Sequence, residues 1–332
     1  MTIKSKIFIL LFFLFFLLNS CSKQKIEKIE IDRFLFGTNL KIVIYSEDKE
    51  NSEKLIEETF TLMENVEKKY NSRSEESIVY KLNKNPLVAQ KIDSELFFML
   101  NKAREISELT KGTYDISVGP LMSLWGFDDL DIKKIPSEIE IENAQKLVNY
   151  KDIIFDENKI ALKKESQRID TGSFLKGYAI NKGAEYLRDK GVKSAMITAI
   201  SSIETIGAKP EDKPFKIGVQ NPKNSQELLY TINLKDKALG VSGDYQTFVE
   251  IEGKVFHHIL DAKTGYPANH NSMVLVLGTN AFECDLLSTG LFTLEAREII
   301  AYIDSREELE AFLVDIDGKE YFSKNIKSYM KK

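Results

Sequence analysis

The chain has 332 residues and a net charge of −5, with 43% hydrophobic and 29% charged residues. This is the composition of a globular protein, and without a basic excess we expect no nucleic-acid partner. The two cysteines, Cys21 and Cys284, are far apart in the chain. If Cys21 is modified as argued next, one thiol remains, and the fold must be held by its core rather than by a disulfide.

The amino terminus predicts export. Lys4 and Lys6 precede an uncharged apolar run at residues 7–18, "IFILLFFLFFLL". The run is too short for a mature membrane span but is typical of a secretory signal. It leads into "LNSC", where a small residue before Cys21 indicates lipoprotein cleavage. We predict a signal peptide at 1–20 and a lipid on Cys21 that anchors an exported protein to a membrane. An ordinary signal peptide with an incidental cysteine is the alternative.

Beyond the signal, residues 21–30 are predicted to be a tether and residues 31–330 one domain. Two strands are expected about the Gly-Thr turn in "FLFGTNLKIVIYS". The apolar spacing predicts helices at 49–69, 93–109, 137–148, from "DTGSFLKG" to Gly191, and at 281–303. Short strands are expected near 153 and 160, between 194 and 277, and in a hairpin around "DIDGKE". Helices intermixed with mostly antiparallel strands predict an α+β fold.

The segment "DTGSFLKGY", residues 170–178, opens the predicted helix that ends near Gly191. Free backbone amides and the dipole at a helix start attract phosphate, and Lys176 adds a positive charge. The alternative is that Asp170 caps the helix while Gly172 and Gly177 permit close packing.

Two further polar segments are candidates for binding. In "CDLLSTG", Asp285, Ser288 and Thr289 share one face of a helix, and a carboxylate with hydroxyls suits a hard cation such as Mg²⁺. A polar stripe on a surface helix is the alternative. In "LGVSGDYQ" a strand ends at Ser242 in a turn that could bind phosphate or ribose, unless it is only a β-turn.

All three histidines lie in "VFHHILDAKTGYPANH", residues 255–270. If this segment is a strand, His258 shares a face with Phe256 and Leu260, and His257 lies on the opposite face with Asp261. Adjacent strand histidines point apart, so this segment does not predict a histidine-based metal site. Asp261 is expected to fix the strand end before a turn, and His270 to be a solvated loop residue.

Taken together, these segments resemble the ApbE family, the FAD:protein FMN transferases. The resemblance covers nearly all of the mature chain, and "GTYDISVGPLMSLWGF" and "HHILDAKTGYP" are its most specific segments. The other matching segments are "FGT", "YNSRSEESIVYKLN", "DTGSFLKGYAIN", "KPFKIGVQNP", "SGDY" and "CDLLSTG". The resemblance implies an ApbE-like, T-fold-like single domain that uses Mg²⁺ and FAD. It implies transfer of FMN to a threonine or serine hydroxyl of an exported or membrane-bound acceptor protein, with release of AMP.

The resemblance also implies site residues. His258 and Asp261 would be catalytic, with His258 accepting the hydroxyl proton or orienting a phosphate. Metal ligation is implied for Asp285, Thr289, the main-chain oxygen of Ser173, and Ser288. The residues implied to contact FAD are Phe36, Tyr70, Thr113, Tyr114, Asp115, Asp170, Lys176, Ser242 and Ile259, with the Tyr70 ring expected to stack on a base.

This chain departs from the family pattern at several positions. Ile200 and Ser201 replace a glycine pair, and a β-branched residue resists the positive φ that glycine allows. Val241 replaces a threonine, Ser173 and Phe174 replace glycines, and Cys284 replaces an alanine. The missing glycines make a non-catalytic FAD-binding lipoprotein an alternative function. An FAD pyrophosphatase in the same scaffold, which yields FMN and AMP with water as the nucleophile, is the other alternative.

Overall fold

The computed structural model describes residues 25–128, 134–245, 247–251 and 253–332. The helices are α1 (Lys49–Tyr70), α2 (Ile78–Lys84), α3 (Ser94–Leu109), α4 (Gly119–Leu124), α5 (Glu138–Gln145), α6 (Leu175–Asp189), α7 (Ala281–Leu291) and α8 (Ala296–Asp304). The strands are β1 (Glu27–Leu35), β2 (Thr38–Ser46), β3 (Gln90–Lys91), β4 (Ile153–Asp156), β5 (Lys159–Leu162), β6 (Ala195–Ala199), β7 (Ser202–Ile206), β8 (Phe215–Asn221), β9 (Asn224–Leu234), β10 (Ala238–Gly243), β11 (Phe248–Ile251), β12 (Lys254–His257), β13 (Asn271–Gly278), β14 (Glu310–Asp315), β15 (Glu320–Phe322) and β16 (Met330–Lys331).

An eight-stranded sheet in the order β1-β2-β6-β7-β10-β13-β14-β15 organises the protein. Every neighbouring pair in it is antiparallel. Helices α1, α3, α6 and α7 contribute to the core on one face, where Ile42, Phe60 and Phe174 are fully buried. A second core joins the other face to the small sheet β16-β9-β8, around Ile232 and Phe312. The predicted α+β class is confirmed.

The sequence explains the first elements directly. Strand β1 alternates buried and exposed residues up to Leu35, and it pairs with β2 across the turn that contains Phe36 and Gly37. Helix α1 begins after Asp48, whose carboxylate accepts a hydrogen bond from the Asn51 amide, a standard N-cap. Its buried side chains recur at helical spacing and cover the sheet, as predicted from the apolar pattern.

Three sequence expectations differ from the structure. The helix predicted at 281–303 is two helices, α7 and α8. The break between them is stabilised because the Asn271 side-chain amide donates to the carbonyls of Phe292 and Leu294. Residues 27–30 of the predicted tether belong to β1. Strand β12 ends at His257, so His258 and Asp261 lie in the following turn region and not on one regular strand.

The predicted signal peptide and Cys21 lie outside the described residues. Within the described ranges, none of the helices has the length and apolar character needed to cross a bilayer.

Helix α7 lies very close to the sheet and to α6. A Cβ atom on Gly240 of β10 would be 2.4 Å from the backbone of Cys284, and one on Gly177 of α6 would be 2.5 Å from the Ala281 carbonyl oxygen. The buried Glu204 carboxylate accepts a hydrogen bond from the Ala281 amide and so caps the start of α7. These contacts fix the position of Asp285 one turn further along the helix.

We expect Gly240→Ala to destabilise the protein by about 1–3 kcal/mol, because the added methyl group meets backbone atoms that cannot move aside. Chemical denaturation measures the change. The matched control is Gly218→Ala in β8, where a Cβ would meet only the mobile side chain of Leu228 at 3.0 Å. Equal free energies of unfolding for the two variants would contradict the close packing of α7.

Candidate active site

A cleft of about 440 Å³ opens at one end of the main sheet. The turn after β1, the turn between β6 and β7, the end of β10 and the start of α6 converge there. The segment after β12, residues of the stretch 114–127 and the α7 residues Asp285 and Thr289 also line it. Eleven of the residues predicted from the sequence line it: Phe36, Tyr114, Asp115, Asp170, Ser173, Lys176, Ser242, His258, Ile259, Asp285 and Thr289.

The Asp285 carboxylate is 4% exposed and is held from two sides. Its Oδ1 accepts a hydrogen bond of 2.7 Å from the Ser202 hydroxyl, and its Oδ2 accepts one of 2.9 Å from the Gly177 amide. Gly177 lies in the first turn of α6, so Asp285 caps that helix from the neighbouring one. Both donors are neutral groups, and among the described residues no salt bridge compensates the carboxylate.

Hydroxyl groups surround Asp285. The Ser242 oxygen lies 3.0 Å from that of Ser288 and 2.9 Å from that of Thr289. Both α7 hydroxyls also donate to the Asp285 main-chain carbonyl oxygen. Ser288 is fully buried beneath this cluster, while Thr289 and Ser242 reach the cleft.

This donor set suits a hard cation. It consists of hydroxyl oxygens and one buried carboxylate that has no salt bridge among the described residues, and Mg²⁺ accepts such ligands when water and phosphate oxygens supply the others. Within the described ranges no three His, Cys, Asp or Glu side chains form a metal-binding group. A zinc-type site built on the histidines is therefore not found there.

The start of α6 contributes one cation and one anion to the cleft. Lys176 donates a hydrogen bond of 2.7 Å to the Ser201 hydroxyl. Asp170 accepts one of 2.7 Å from the Gly172 amide, and Arg73 lies 4.0 Å from its other carboxylate oxygen. Lysine and arginine side chains near helix amides favour a phosphate-bearing ligand.

His258 has a defined protonation pattern. Its Nδ1 lies 3.0 Å from the Thr247 carbonyl oxygen, and since a carbonyl only accepts, Nδ1 carries the proton. Nε2 is then the unprotonated nitrogen. Burial lowers the pKa of His258 to about 4, against a weaker opposite effect of the Thr247 hydrogen bond. At neutral pH the ring is therefore uncharged, with its proton on Nδ1.

His257 and His270 are separate from this site. The His257 Nε2 lies 2.8 Å from the Ala268 carbonyl oxygen, and its ring packs against Phe292. The His270 ring is half-buried and lies 3.3 Å from Glu295. The three histidines thus bond to three different partners.

Four predicted site residues lie outside the cleft wall: Tyr70, Thr113, Asp261 and Ser288. Tyr70 is fully buried and its hydroxyl donates to Asp93 and Glu95, so its ring is not available for stacking on a base. The Thr113 hydroxyl lies 2.7 Å from that of Thr293. Both residues hold the structure around the site in place.

Asp261 orders the turn that follows His258. Its Oδ1 accepts hydrogen bonds from the amides of Lys263 and Thr264, and its backbone amide donates to the Tyr266 carbonyl. The carboxylate of Asp115, like that of Asp261, is bound by groups of the protein itself. Although Asp115 lines the cleft, its carboxylate is bound by Ser117 and by the Tyr150 amide, and burial raises its pKa. The catalytic role predicted for Asp261 stays a prediction, and its contacts here are those of a turn residue.

Sequence reasoning missed Arg73 and Ser202. Arg73 lines the cleft and also a neighbouring hollow of about 640 Å³, which shares Ser72 and Asp170 with it. Its position in the matching segment "YNSRSEES" was the available signal. Ser202 follows the replaced glycine pair, and nothing in the sequence indicated its contact with Asp285.

Ile200, which stands where the family pattern has glycine, adopts a backbone conformation that favours glycine. Its φ is +49°, and its side chain is 74% exposed beside Ser201, which lines the cleft. A β-branched residue in this region costs about 1–2 kcal/mol. The turn between β6 and β7 is therefore kept in its glycine-like shape by its surroundings, including the bond from the Val241 amide to the Ser201 carbonyl.

Fold and cleft together define an α+β protein whose site combines a buried carboxylate, hydroxyls, a lysine and a neutral histidine around a space suited to a phosphate-bearing ligand. The fold is similar to that of the ApbE protein of Thermotoga maritima, with 30% identity, coverage of 92% of this chain and 100% of that one, and a TM-score of 0.85. It is also similar to the flavin transferase ApbE of Vibrio cholerae, with 23% identity, coverage of 92% and 100%, and a TM-score of 0.82.

Sequence comparison agrees. The FAD:protein FMN transferase of Haemophilus influenzae is 29% identical over 290 residues, which are 84% of each chain. The one from Vibrio cholerae is 25% identical over 323 residues, covering 95% of this chain and 96% of that one. The model of the ApbE family matches residues 36–313, and the chain therefore belongs to this family.

The lowered pKa of His258 predicts a pH-dependent stability. Between its ordinary value of 6.5 and about 4, the unfolded chain binds more protons at this residue than the folded chain. The free energy of unfolding must therefore fall as pH falls through this window. We expect His258→Gln to show a shallower fall in melting temperature between pH 7 and pH 4.5. A slope in His258→Gln equal to that of the wild type would contradict the lowered pKa of His258.

Proposed function

We propose that this protein is an FAD:protein FMN transferase that uses Mg²⁺ and releases AMP. Family membership supports this proposal, and so do the names of its relatives. The observation that carries it is the buried Asp285 carboxylate facing the same cleft as Lys176 and the neutral His258. This transfer requires a carboxylate that binds a metal cation, a positively charged side chain that binds phosphate, and a base that accepts the hydroxyl proton.

The shape of the site suits FAD as substrate. The cleft adjoins a second hollow, and Ser72, Arg73 and Asp170 line both. Two adjoining spaces suit an elongated dinucleotide, which also requires positive charge near its pyrophosphate. Lys176 and Arg73 provide that charge from opposite elements.

The chemistry follows from the groups present. The hydroxyl oxygen of an acceptor threonine or serine attacks the phosphorus of the FMN half, and its proton passes to His258 Nε2. A new P–O bond forms, the pyrophosphate P–O bond breaks, and AMP leaves with the electron pair. Bound beside Asp285 and Thr289, Mg²⁺ would draw charge from the pyrophosphate oxygens. Lys176 would hold the phosphates in line for the attack.

We expect Asp285→Ala to lower FMN transfer by about 10²-fold or more, because charge stabilisation at the phosphates is lost. The assay incubates the protein with FAD, Mg²⁺ and a candidate acceptor domain from an exported redox flavoprotein. It follows covalent flavin fluorescence on the denatured acceptor together with AMP release. Asp32→Ala, on the exposed face of β1, is the matched control and should retain wild-type activity.

The same assay separates the alternatives. AMP released at full rate without acceptor would replace the transferase with an FAD pyrophosphatase. FAD binding without AMP release or labelling would indicate a binding lipoprotein. Transfer that Asp285→Ala leaves unchanged would contradict the metal-assisted mechanism.

We also propose that the protein is exported and anchored by a lipid on Cys21. The leader at residues 1–20 supports this, and so does the position of β1 at the edge of the main sheet. The nine residues of β1 extend over roughly 30 Å from Glu27 to the turn that lines the cleft. An anchor before Glu27 would therefore leave the cleft free for an acceptor.

Expression of the full chain in a bacterial host tests the anchor. We expect wild type in the membrane fraction, with a diacylglyceryl mass on the peptide that begins at Cys21. Cys21→Ser should lose the lipid and the cleavage before residue 21. Cys284→Ser, which removes the other thiol, should behave as wild type; an unmodified Cys21 in mature wild-type protein would overturn this proposal.

A further inference from the structure

Ser202 and Glu204 form a two-point contact between β7 and α7. Being two residues apart, they lie on the same face of the strand. Their partners, Asp285 and the Ala281 amide, lie four residues apart on one face of the helix. A step of two residues along the strand thus lies opposite a step of four residues along the helix. The sheet therefore sets both the start of α7 and the position of the Asp285 side chain.

Ser202 has no access to solvent, and its hydroxyl donates to Asp285 Oδ1 at 2.7 Å. It pairs with Gly240, the residue of β10 that lets α7 approach closely. The second carboxylate oxygen accepts from the Gly177 amide at 2.9 Å. With one donor on each oxygen, rotation of the carboxylate is restricted, and its remaining lone pairs are available toward the cleft.

We propose that Ser202 is a positioning residue that orients Asp285 toward the divalent cation. This inference rests on the proposed function. A ligating carboxylate is usually held by a hydrogen-bond partner behind it, and removing such a partner weakens metal affinity about 10–100-fold. Ser202 does not line the cleft, so it acts through Asp285 and does not touch the substrate.

Ser202→Ala tests the inference. The readout is the dissociation constant of Mn²⁺, titrated calorimetrically in the presence of ADP, a pyrophosphate without flavin. We expect it to rise about 10–100-fold. The Mg²⁺ concentration for half-maximal FMN transfer should rise in parallel, while the KM for FAD at saturating Mg²⁺ stays close to the wild-type value.

Three further variants make the result specific. The control variant is Ser107→Ala. It removes a hydroxyl that is as buried as that of Ser202 but bonds only to the Ala103 carbonyl in its own helix, so this variant should bind Mn²⁺ as the wild type does. Ser202→Thr keeps the hydroxyl and should restore most of the affinity. If Ser202→Ala does not fold, Ser202→Cys, with a side chain of similar shape and a weak donor, should show the same loss.

The outcomes separate this inference from the function it rests on. Mn²⁺ binding that Asp285→Ala abolishes but Ser202→Ala and Ser202→Cys leave unchanged would overturn the role of Ser202 alone. A wild-type protein that does not bind Mn²⁺ with ADP would overturn the metal-assisted mechanism, and this inference with it.

Discussion

The close approach of α7 to the sheet and to α6 is the constraint on which the site depends. Glycines at 240 and 177 remove the Cβ atoms that would hold the helix away. At that distance Ser202 and the Gly177 amide both reach the Asp285 carboxylate. A buried carboxylate without a salt bridge is costly unless hydrogen bonds or a cation compensate it. The packing of one helix thus places a buried carboxylate, whose chemistry suits a cation, in the wall of the cleft.

The rest of the cleft follows from the ends of neighbouring strands. Three segments come to the same end of this antiparallel sheet: the turn after β1, the turn between β6 and β7, and the end of β10. Phe36, Ser201 and Ser242 therefore meet there although they are far apart in the chain. The turn between β6 and β7 keeps a positive φ at Ile200, where the family pattern has glycine. Ser201 in the same turn holds Lys176 by its hydroxyl.

Much of the architecture could be predicted from local patterns. Helix α1 and the turn of the β1–β2 hairpin follow from apolar spacing and from turn residues. Helix α1 and strand β2 agree with the prediction within a residue or two, whereas β1 begins earlier than predicted, at Glu27. The break between α7 and α8 was missed, because the Asn271 side chain that binds the carbonyls there comes from a strand. The turn at Asp261 was expected, but the end of β12 at His257 was missed, because the His258 amide bonds to the Thr247 carbonyl, a contact that only folding creates.

The sequence by itself determined the family, the α+β class and the chemical identity of Asp285, Lys176 and His258, since residue types and short motifs are local properties of the chain. Only the tertiary structure decided which of these groups face one cleft. Tyr70 and Asp261 belong to the same motifs, yet their hydrogen bonds hold helix ends and turns. Ser202, whose sequence neighbourhood carried no signal, supports the central carboxylate because strand and helix repeats bring residues 202 and 285 together. Orientation and proximity depend on long-range packing, and short motifs do not encode them.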